Sequence, residues 1–198
     1  MIRFVILGHR AHTTADFKLE DICGGAGRLD ILTRCVNSAF FLSHDLRKDV
    51  EIFLLMLGGE DAPKVIRFSG AEIRYLNPDE RSTASLIRNA LMKKLEGDRE
   101  IRSSPGVFVS RNDLKGLMDR LSKDSDFIYL REGGTDIREY DFPENPCFIL
   151  GDDRDPTEEE EAVLSGYRFD RISLGPVSLH ANHCMIIAHN EMDRRAAE

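Results

Sequence analysis

The stretch Val50-Glu51-Ile52-Phe53-Leu54-Leu55-Met56-Leu57-Gly58-Gly59 decides the fold class of this chain. Every residue of positions 50–57 except Glu51 is apolar, and two glycines end the run. A strand that is apolar on both faces needs cover on both faces, which is typical of the parallel sheets of α/β proteins. The stretch therefore predicts a central strand between two layers of helices.

Further apolar runs on either side of this strand alternate with segments of helical periodicity. Strands are predicted at residues 2–7, 106–109, 127–130, 147–150 and 171–174. Helices are predicted at 28–42, 78–95, 112–121, 155–164 and 181–195. Strands and helices that alternate in this way predict a mainly parallel α/β sheet, in one domain that comprises residues 1–198.

Two local signals predict finer features. Ser69-Gly70 separates the apolar runs 65–68 and 71–76, and this spacing predicts a small antiparallel hairpin extension at about residues 63–77. The sequence Asp155-Pro156-Thr157-Glu158 predicts a helix with Asp155 as its N-cap and proline in its first position.

Composition places the chain among globular proteins. It has 198 residues, of which 41% are hydrophobic and 31% charged, and a formal net charge of −8. The N-terminus is too quickly polar for a signal peptide, and no apolar run reaches the roughly 18 residues of a membrane span. We therefore expect a soluble cytoplasmic protein with no membrane partner. Four scattered cysteines without a CxxC pair argue against a disulfide framework or a zinc ribbon.

Acidic residues concentrate near the C-terminus. Residues 151–198 hold 5 basic and 11 acidic side chains. A nucleic-acid site is therefore expected within the first 150 residues. The net acidity does not exclude a local basic face, because phosphate attraction acts within a Debye length of about 8 to 10 Å.

The loops after the predicted parallel strands are the expected ligand sites. The stretches 150–153 and 173–179, taken together, consist mainly of glycine, proline and leucine, and Asp152 and Asp153 are their only charged residues. No GxGxxG, GxxxxGKS/T or GxSxG motif occurs, which removes the main support for dinucleotide, phosphate and acyl-transfer sites. The composition predicts a site where main-chain groups contact an apolar ring. Simple tight turns between strand and helix are an equal alternative.

Two histidines and a thiol lie close together in Leu179-His180-Ala181-Asn182-His183-Cys184. In a helix that begins near Ala181, His183 and Cys184 point about 100° apart, so they cannot easily share one tetrahedral metal ion. We expect no metal here. The segment is interpreted as a helix N-terminus that favours an electron-rich ligand group.

A second polar concentration comprises residues 8–13 and 24–30, with Arg34 one helical turn beyond. Asp30 and Arg34 are four residues apart on one helix face, which is usually a surface ion pair worth a few tenths of a kcal/mol. In the functional alternative, arginines bind RNA phosphate or a base edge and a nearby carboxylate accepts a proton. The acidic run 158–161 is interpreted as a solvated helix start without a chemical role.

Three long motifs, in their order along the chain, resemble those of one family. They are Gly27-Arg28-Leu29-Asp30-Ile31-Leu32-Thr33-Arg34-Cys35-Val36, then Ala39-Phe40-Phe41-Leu42-Ser43-His44-Asp45-Leu46-Arg47-Lys48-Asp49-Val50, and finally Arg171-Ile172-Ser173-Leu174 with Leu179-His180-Ala181-Asn182-His183-Cys184. The family is that of the archaeal tRNA (pseudouridine-54 N1)-methyltransferases, of the SPOUT superfamily. With Asn77-Pro78-Asp79-Glu80-Arg81, the resemblance covers essentially the whole chain.

The resemblance implies a SPOUT-type fold and a cofactor. It implies a C-terminal trefoil knot at about residues 127–190, which binds S-adenosylmethionine. It also implies a homodimer with the active site near the subunit interface, for which the last helix, 181–195, is the candidate contact. Main-chain groups of the following residues are implied to hold the adenine and methionine parts of the cofactor: Leu130, Gly151, Leu174, Gly175, Pro176, Val177, Ser178, Leu179 and Cys184.

The implied reaction is methyl transfer to N1 of pseudouridine 54 in the T-loop of tRNA. Because the N1 proton has a pKa well above 7, its loss needs an acceptor or a partner for the developing anion. Asp30 and Asp16 are the candidates for the proton, and the candidates for uracil oxygens and phosphate are Arg10, Arg28, Arg34 and Arg47. Two alternatives stay open: a ribosomal RNA pseudouridine as substrate, and a non-catalytic RNA-binding protein.

Overall fold

The computed structural model describes residues 1–197, which form one eight-stranded sheet and five α-helices. The strands are β1 (Ile2–His12), β2 (Val50–Gly58), β3 (Lys64–Ser69), β4 (Ile101–Ser104), β5 (Val107–Ser110), β6 (Asp126–Asp136), β7 (Pro146–Gly151) and β8 (Phe169–Ser173). The helices are α1 (Leu29–Phe40), α2 (Glu80–Leu91), α3 (Leu114–Leu121), α4 (Glu158–Leu164) and α5 (Ala181–Ala196). Within the described residues, no helix is both long enough and apolar enough to cross a membrane.

The strand order across the sheet is β4-β5-β3-β2-β1-β7-β6-β8. The five strands from β2 to β8 in this order pair in parallel, whereas β3, β5 and β4 pair antiparallel at one side. The prediction of a mainly parallel α/β sheet is therefore confirmed. Because parallel strands end at the same edge of a sheet, the loops after β6, β7 and β8 lie next to each other there.

Alternate residues of the central strands enter two separate cores. In β1, Phe4 and Ile6 pack into the core that contains residues of α1, α2 and α5. Val5 and Leu7 pack into the core that contains residues of α3 and α4. Since successive side chains of a strand point to opposite faces, a strand covered on both faces must be apolar throughout. The two helix layers predicted from the 50–59 stretch are thus present.

The antiparallel strands come from different residues than predicted. β3 pairs with β2, which precedes it in the chain, and with β5, while residues 71–76 form no strand. The prediction of a hairpin around Ser69-Gly70 is therefore wrong. A Cβ atom at Gly70 would lie 2.1 Å from the carbonyl oxygen of Arg47. Glycine is needed here for a close approach of two backbone segments, and not for a hairpin turn.

The start of α4 also differs from the prediction. Its N-cap is Thr157, whose hydroxyl accepts a hydrogen bond from the Glu160 amide, while the Thr157 amide donates to the Glu160 carboxylate. The prediction of Asp155 as the N-cap is wrong. The helix begins two residues later because the capping box at Thr157 gives hydrogen-bond partners to the amides of Thr157 and Glu160.

β6 makes an excursion in its pairing with β8. Leu130 and Thr135 both align with the same residue of β8, so residues 131–134 leave the sheet between them. A Cβ atom at Gly134 would lie 2.6 Å from the carbonyl group of Arg171, because the returning chain passes very close to β8. The excursion occurs at the carboxyl edge of the sheet, where the candidate site lies.

Candidate functional site

A cavity of about 840 Å³ opens at the carboxyl ends of β6, β7 and β8. The loops that follow Leu130, Leu150 and Leu174 converge on it, as expected for the ends of neighbouring parallel strands. Of the nine residues that the family resemblance implies for cofactor binding, Pro176 does not line the cavity. The other eight do: Leu130, Gly151, Leu174, Gly175, Val177, Ser178, Leu179 and Cys184.

The cavity wall carries more charge than the sequence indicated. The excursion in β6 contributes Arg131 and Glu132, and the loop after β7 contributes Asp152, Asp153 and Asp155. Arg131 contacts the carboxylate of Asp155 at 3.3 Å. The prediction of an almost uncharged site is therefore wrong, because charged residues of the β6 excursion and the loop after β7 line the cavity beside the apolar strand ends.

Two glycines shape the cavity. A Cβ atom at Gly151 would lie 2.0 Å from the carbonyl oxygen of Arg154, so the turn after β7 closes only around a glycine. Gly175 has a φ of 135°, which favours glycine, and a Cβ atom there would meet no atom within 4 Å. Its backbone therefore faces open space and leaves room for a ligand.

An arginine cluster, made of Arg10, Arg28 and Arg34 with Asp30 and Asp153, borders this cavity. Arg28 donates two hydrogen bonds of 3.0 and 3.2 Å to Asp30, and Arg34 donates one of 2.7 Å to the same carboxylate. Arg28 also contacts Asp153 at 3.4 Å, and Arg10 donates to the same Asp153 oxygen. The structure thus brings together four predicted residues, and Asp153 joins them to the cavity wall.

Asp30 is the buried centre of the arginine cluster, with 6% of its surface exposed. Burial acts to raise the pKa of its carboxyl group, but the hydrogen bonds and positive charges of Arg28 and Arg34 outweigh burial and hold the pKa below its usual value. Asp30 is therefore ionised and is a weak base. Its contact with Arg34 was predicted from the spacing, and the burial of Asp30 sets it apart from an ordinary surface ion pair.

The backbone at Arg28 is in the left-handed region. Arg28 is the N-cap of α1 with a φ of 64°, and no other residue except glycine has a positive φ within residues 1–197. A Cβ atom on the preceding Gly27 would lie 1.8 Å from the carbonyl oxygen of Arg10. Such a conformation costs on the order of 1 kcal/mol and is found most often at functional sites. Here it accompanies the contact of the Arg28 guanidinium with Asp30, only two residues further along the chain.

Two predicted site residues lie outside the arginine cluster. Asp16 is exposed, and a hydrogen bond from the Thr14 hydroxyl holds the pKa of its carboxyl below the usual value. Arg47 donates a bond of 2.9 Å to Asp193 on α5. Neither residue lines the cavity. Their roles in proton transfer and RNA binding stay predictions.

His9 is a central residue of the site that sequence analysis did not single out. Its Nδ1 and Nε2 atoms lie 2.8 and 3.0 Å from the carboxylates of Asp152 and Glu160, and its amide donates to Asp152. The hydrogen bond with Asp152 raises the pKa of His9 above its ordinary value, although burial acts in the opposite direction. His9 therefore joins β1 to the loop that lines the cavity and to α4.

The acidic start of α4 has partners that its sequence did not indicate. Glu160 caps the helix and contacts His9, and Glu161 accepts a hydrogen bond of 2.6 Å from the Tyr129 hydroxyl. The interpretation of residues 158–161 as merely solvated is therefore wrong for these two carboxylates. They connect α4 to β1 and β6.

The histidine and cysteine side chains at the start of α5 pack without forming a metal site. Within residues 1–197, no group of three or more His, Cys, Asp and Glu side chains is placed to hold a metal ion. The rings of His180 and His183 meet edge to face with centres 5.6 Å apart, and the thiol of Cys184 lies 3.7 Å from the carbonyl oxygen of Leu179. Burial raises the pKa of the Cys184 thiol, so it is neutral at pH 7.

The fold and the site together define a class of protein. A cavity at the carboxyl edge of a parallel sheet suits a small cofactor, and an adjoining arginine cluster suits a phosphate-bearing substrate. The family model described as "Putative SAM-dependent RNA methyltransferase" matches residues 1–197.

Relatives of known name narrow this class. The tRNA (pseudouridine(54)-N(1))-methyltransferase of Methanococcoides burtonii is 52% identical over 197 residues, which are 98% of this chain and 96% of that protein. The proteins of the same name from Haloferax volcanii and Methanocaldococcus jannaschii are 49% and 41% identical over 98% of this chain, and over 96% and 98% of their own lengths. The chain belongs to this family of tRNA (pseudouridine(54)-N(1))-methyltransferases.

A solved structure has a similar fold. It is the crystal structure of Archaeoglobus fulgidus Nep1 bound to S-adenosylhomocysteine, with a TM-score of 0.63 and 19% sequence identity over 87% of this chain and 73% of that chain. At this identity the likeness concerns the fold, and it agrees with a mostly parallel α/β sheet.

Proposed function

We propose that this chain transfers the methyl group of S-adenosylmethionine to N1 of pseudouridine 54 in the tRNA T-loop. The observation that carries the proposal is the contact of the arginine cluster with the cavity wall at Asp153. A nucleotide held by these arginines lies next to a cofactor in the cavity. The nucleoside and the reacting atom are those in the names of the relatives, which are 41 to 52% identical to this chain.

The cavity fits S-adenosylmethionine. Its volume of about 840 Å³ lies in the range of small-molecule sites, roughly 300 to 1,000 Å³. Apolar side chains such as Leu130 and Leu174 suit the adenine ring, and main-chain groups of Gly151 and of the 174–179 loop suit its polar edge and the methionine part. When bound, the cofactor supplies an electrophilic methyl group on a sulfonium.

The proposal includes two features of the SPOUT superfamily. The first is a trefoil knot at about residues 127–190, which the close passage of Gly134 beside β8 supports. The second is a homodimer with α5 in the contact. Val177, which precedes α5, and Ile186 on α5 are 69% and 49% exposed, so this part of the chain presents apolar side chains that contact with a second subunit would bury.

The arginine cluster acts on the uracil ring and its phosphate. Arg10, Arg28 and Arg34 donate hydrogen bonds to uracil and phosphate oxygens and stabilise the charge that develops when N1 loses its proton. Asp30 orients Arg28 and Arg34 and is the nearer candidate for accepting the proton, with Asp16 as the second. Because the pKa values of both carboxyls are lowered, they are weak bases, and positioning of N1 carries most of the acceleration.

Transfer of labelled methyl to two matched tRNA transcripts tests this function. One transcript carries pseudouridine at position 54 and the other carries uridine. We expect label only on the first, because uridine has no free N1–H. If neither transcript is labelled although the protein still binds S-adenosylhomocysteine, the proposed tRNA substrate is contradicted. A ribosomal RNA hairpin with pseudouridine is then the next substrate to assay.

Substitution of Gly151 by alanine tests the cofactor cavity. The new Cβ atom would overlap the carbonyl of Arg154, so the loop that carries Asp152 and Asp153 must move. We expect the affinity for S-adenosylhomocysteine, measured by calorimetry, to fall by about tenfold or more, since displacements near 1 Å have large effects at such sites. Gly166→Ala, in the turn after α4, is the matched control and should keep wild-type affinity. Equal affinities of both variants would contradict the assigned cavity.

A further inference from the structure

Residues 81–95 of this acidic chain carry several positive charges and no negative charge. Residues 81–95 contain Arg81, Arg88, Lys93 and Lys94 and no aspartate or glutamate, while the whole chain has a net charge of −8. This segment comprises most of α2 and the residues that follow its C-terminus.

α2 begins at the arginine cluster. Glu80, its first residue, lies 3.4 Å from Arg34, and one turn later Thr83 donates a hydrogen bond of 2.9 Å to Asn37 of α1. With a rise of 1.5 Å per residue, the 12 residues of α2 extend about 18 Å away from the cluster. The helix therefore leads from the proposed site of the target nucleotide to Lys93 and Lys94.

The positive side chains of α2 lie on its outer face. The inner face is buried and apolar, with Ala84, Ile87 and Ala90 in the core. Arg88 is partly exposed, and Lys93 and Lys94 are exposed. Within residues 1–197, none of these three cations has a carboxylate within ion-pair distance, whereas each arginine of the arginine cluster has one. We name Arg88, Lys93 and Lys94 the α2 cation row.

We propose that the α2 cation row binds the phosphate backbone of the substrate RNA on one side of the target nucleotide. The proposal rests on the proposed function, because it takes tRNA as the substrate. RNA is the matching partner because these cations, which have no ion pair within residues 1–197, lie along or just after a helix that begins at the phosphate-binding arginines, and such an arrangement is complementary to a chain of phosphates. Without RNA, lysines after a helix C-terminus and Arg88 in its last turn would only stabilise the helix dipole.

The salt dependence of tRNA binding tests the proposal. The double variant Arg88→Gln/Lys94→Gln is compared with Arg168→Gln/Lys123→Gln, which removes two exposed cations near the amino ends of β8 and β6. Like Arg88 and Lys94, these two cations have no ion pair within residues 1–197. Both variants lose one arginine and one lysine, so their net charges are equal. The dissociation constant for pseudouridine-containing tRNA is measured by fluorescence anisotropy between about 50 and 300 mM salt.

We expect the α2 variant to reduce the slope of log K against log salt concentration by about 1.5, and to weaken binding about tenfold at 0.1 M salt. The control variant should keep the wild-type slope, and both should keep wild-type affinity for S-adenosylhomocysteine. Equal slopes for the two variants would overturn the proposal, whether both change or neither does. A wild-type protein that binds tRNA but does not methylate it would refute the proposed function, while the comparison of slopes would still decide the proposal about α2.

Discussion

Replacement of Asp30 by alanine is expected to slow methyl transfer to pseudouridine-containing tRNA by about a hundredfold. Arg28 and Arg34 both donate to this buried carboxylate, and its removal leaves two guanidiniums without the group that fixes their positions. A misplacement of about 1 Å can cost a factor of a hundred in rate. Single-turnover rates at saturating cofactor measure the effect, and the affinity for S-adenosylhomocysteine should stay near the wild-type value.

Asp16→Asn and Asp30→Asn separate positioning from proton transfer. Asp16 is exposed and bonded to Thr14, so its asparagine variant should stay within about twofold of the wild-type rate. Asp30→Asn keeps the shape of the side chain and one acceptor oxygen. Its rate of methyl transfer should therefore lie between the rates of wild type and Asp30→Ala. Wild-type rates for both asparagine variants would refute a general base at either position. A large effect of Asp16→Asn alone would make Asp16 the proton acceptor.

Replacement of His9 by alanine is expected to lower the free energy of unfolding by roughly 2 kcal/mol. The side chains of Asp152 and Glu160 are 3% and 14% exposed, so the substitution leaves two largely buried carboxylates without the imidazole, and only backbone amides still donate to them. Loss of one partner of a fully buried pair costs about 3 to 5 kcal/mol, and the open side of the cavity reduces that figure here. Chemical denaturation measures the change. His44→Ala, an exposed histidine, is the control and should have little effect.

The contribution of His9 to stability should depend on pH in a defined direction. Its pKa is raised above 6.5, the ordinary value, by the bond with Asp152. The stabilisation is therefore fully present below about pH 6.5 and is lost as the pH rises through the raised pKa. Wild type should become less stable in this range, while His9→Ala should show a flatter dependence. If the free energies of unfolding of wild type and His9→Ala depend on pH in the same way, the ion pair between His9 and Asp152 is contradicted.

The sheet could be predicted because its signal is local. The apolar runs of β1, β2, β6 and β7 are continuous in sequence, and the core on each face requires them to be so. The hairpin prediction failed because Gly70 resembles a turn residue, although its small size serves a contact with Arg47, which is distant in sequence. Such contacts leave no trace in local turn patterns.

Only part of the candidate site can be predicted from the sequence, because several of its contacts join residues that are distant in the chain. The convergence of three loops follows from the rule that parallel strands end at one edge, and the contact of Asp30 with Arg34 follows from helix geometry. The contacts of His9 with Asp152 and Glu160 join residues that are 143 and 151 positions apart. The sequence shows a histidine after a strand and acidic residues near a helix, but not that they meet. Charged residues that pair across the fold are therefore not recognisable as pairs in the sequence.

The central position of β1 has a consequence for synthesis on the ribosome. β1 is made first, and its partner β2 follows soon, but its other neighbour, β7, begins about 90 residues after the end of β2. At translation rates of about 5 to 20 residues per second, one edge of this central strand waits roughly 5 to 20 seconds for its partner. The nascent chain therefore exposes an unpaired apolar edge during this interval, and it needs protection from aggregation until the cofactor-binding half emerges.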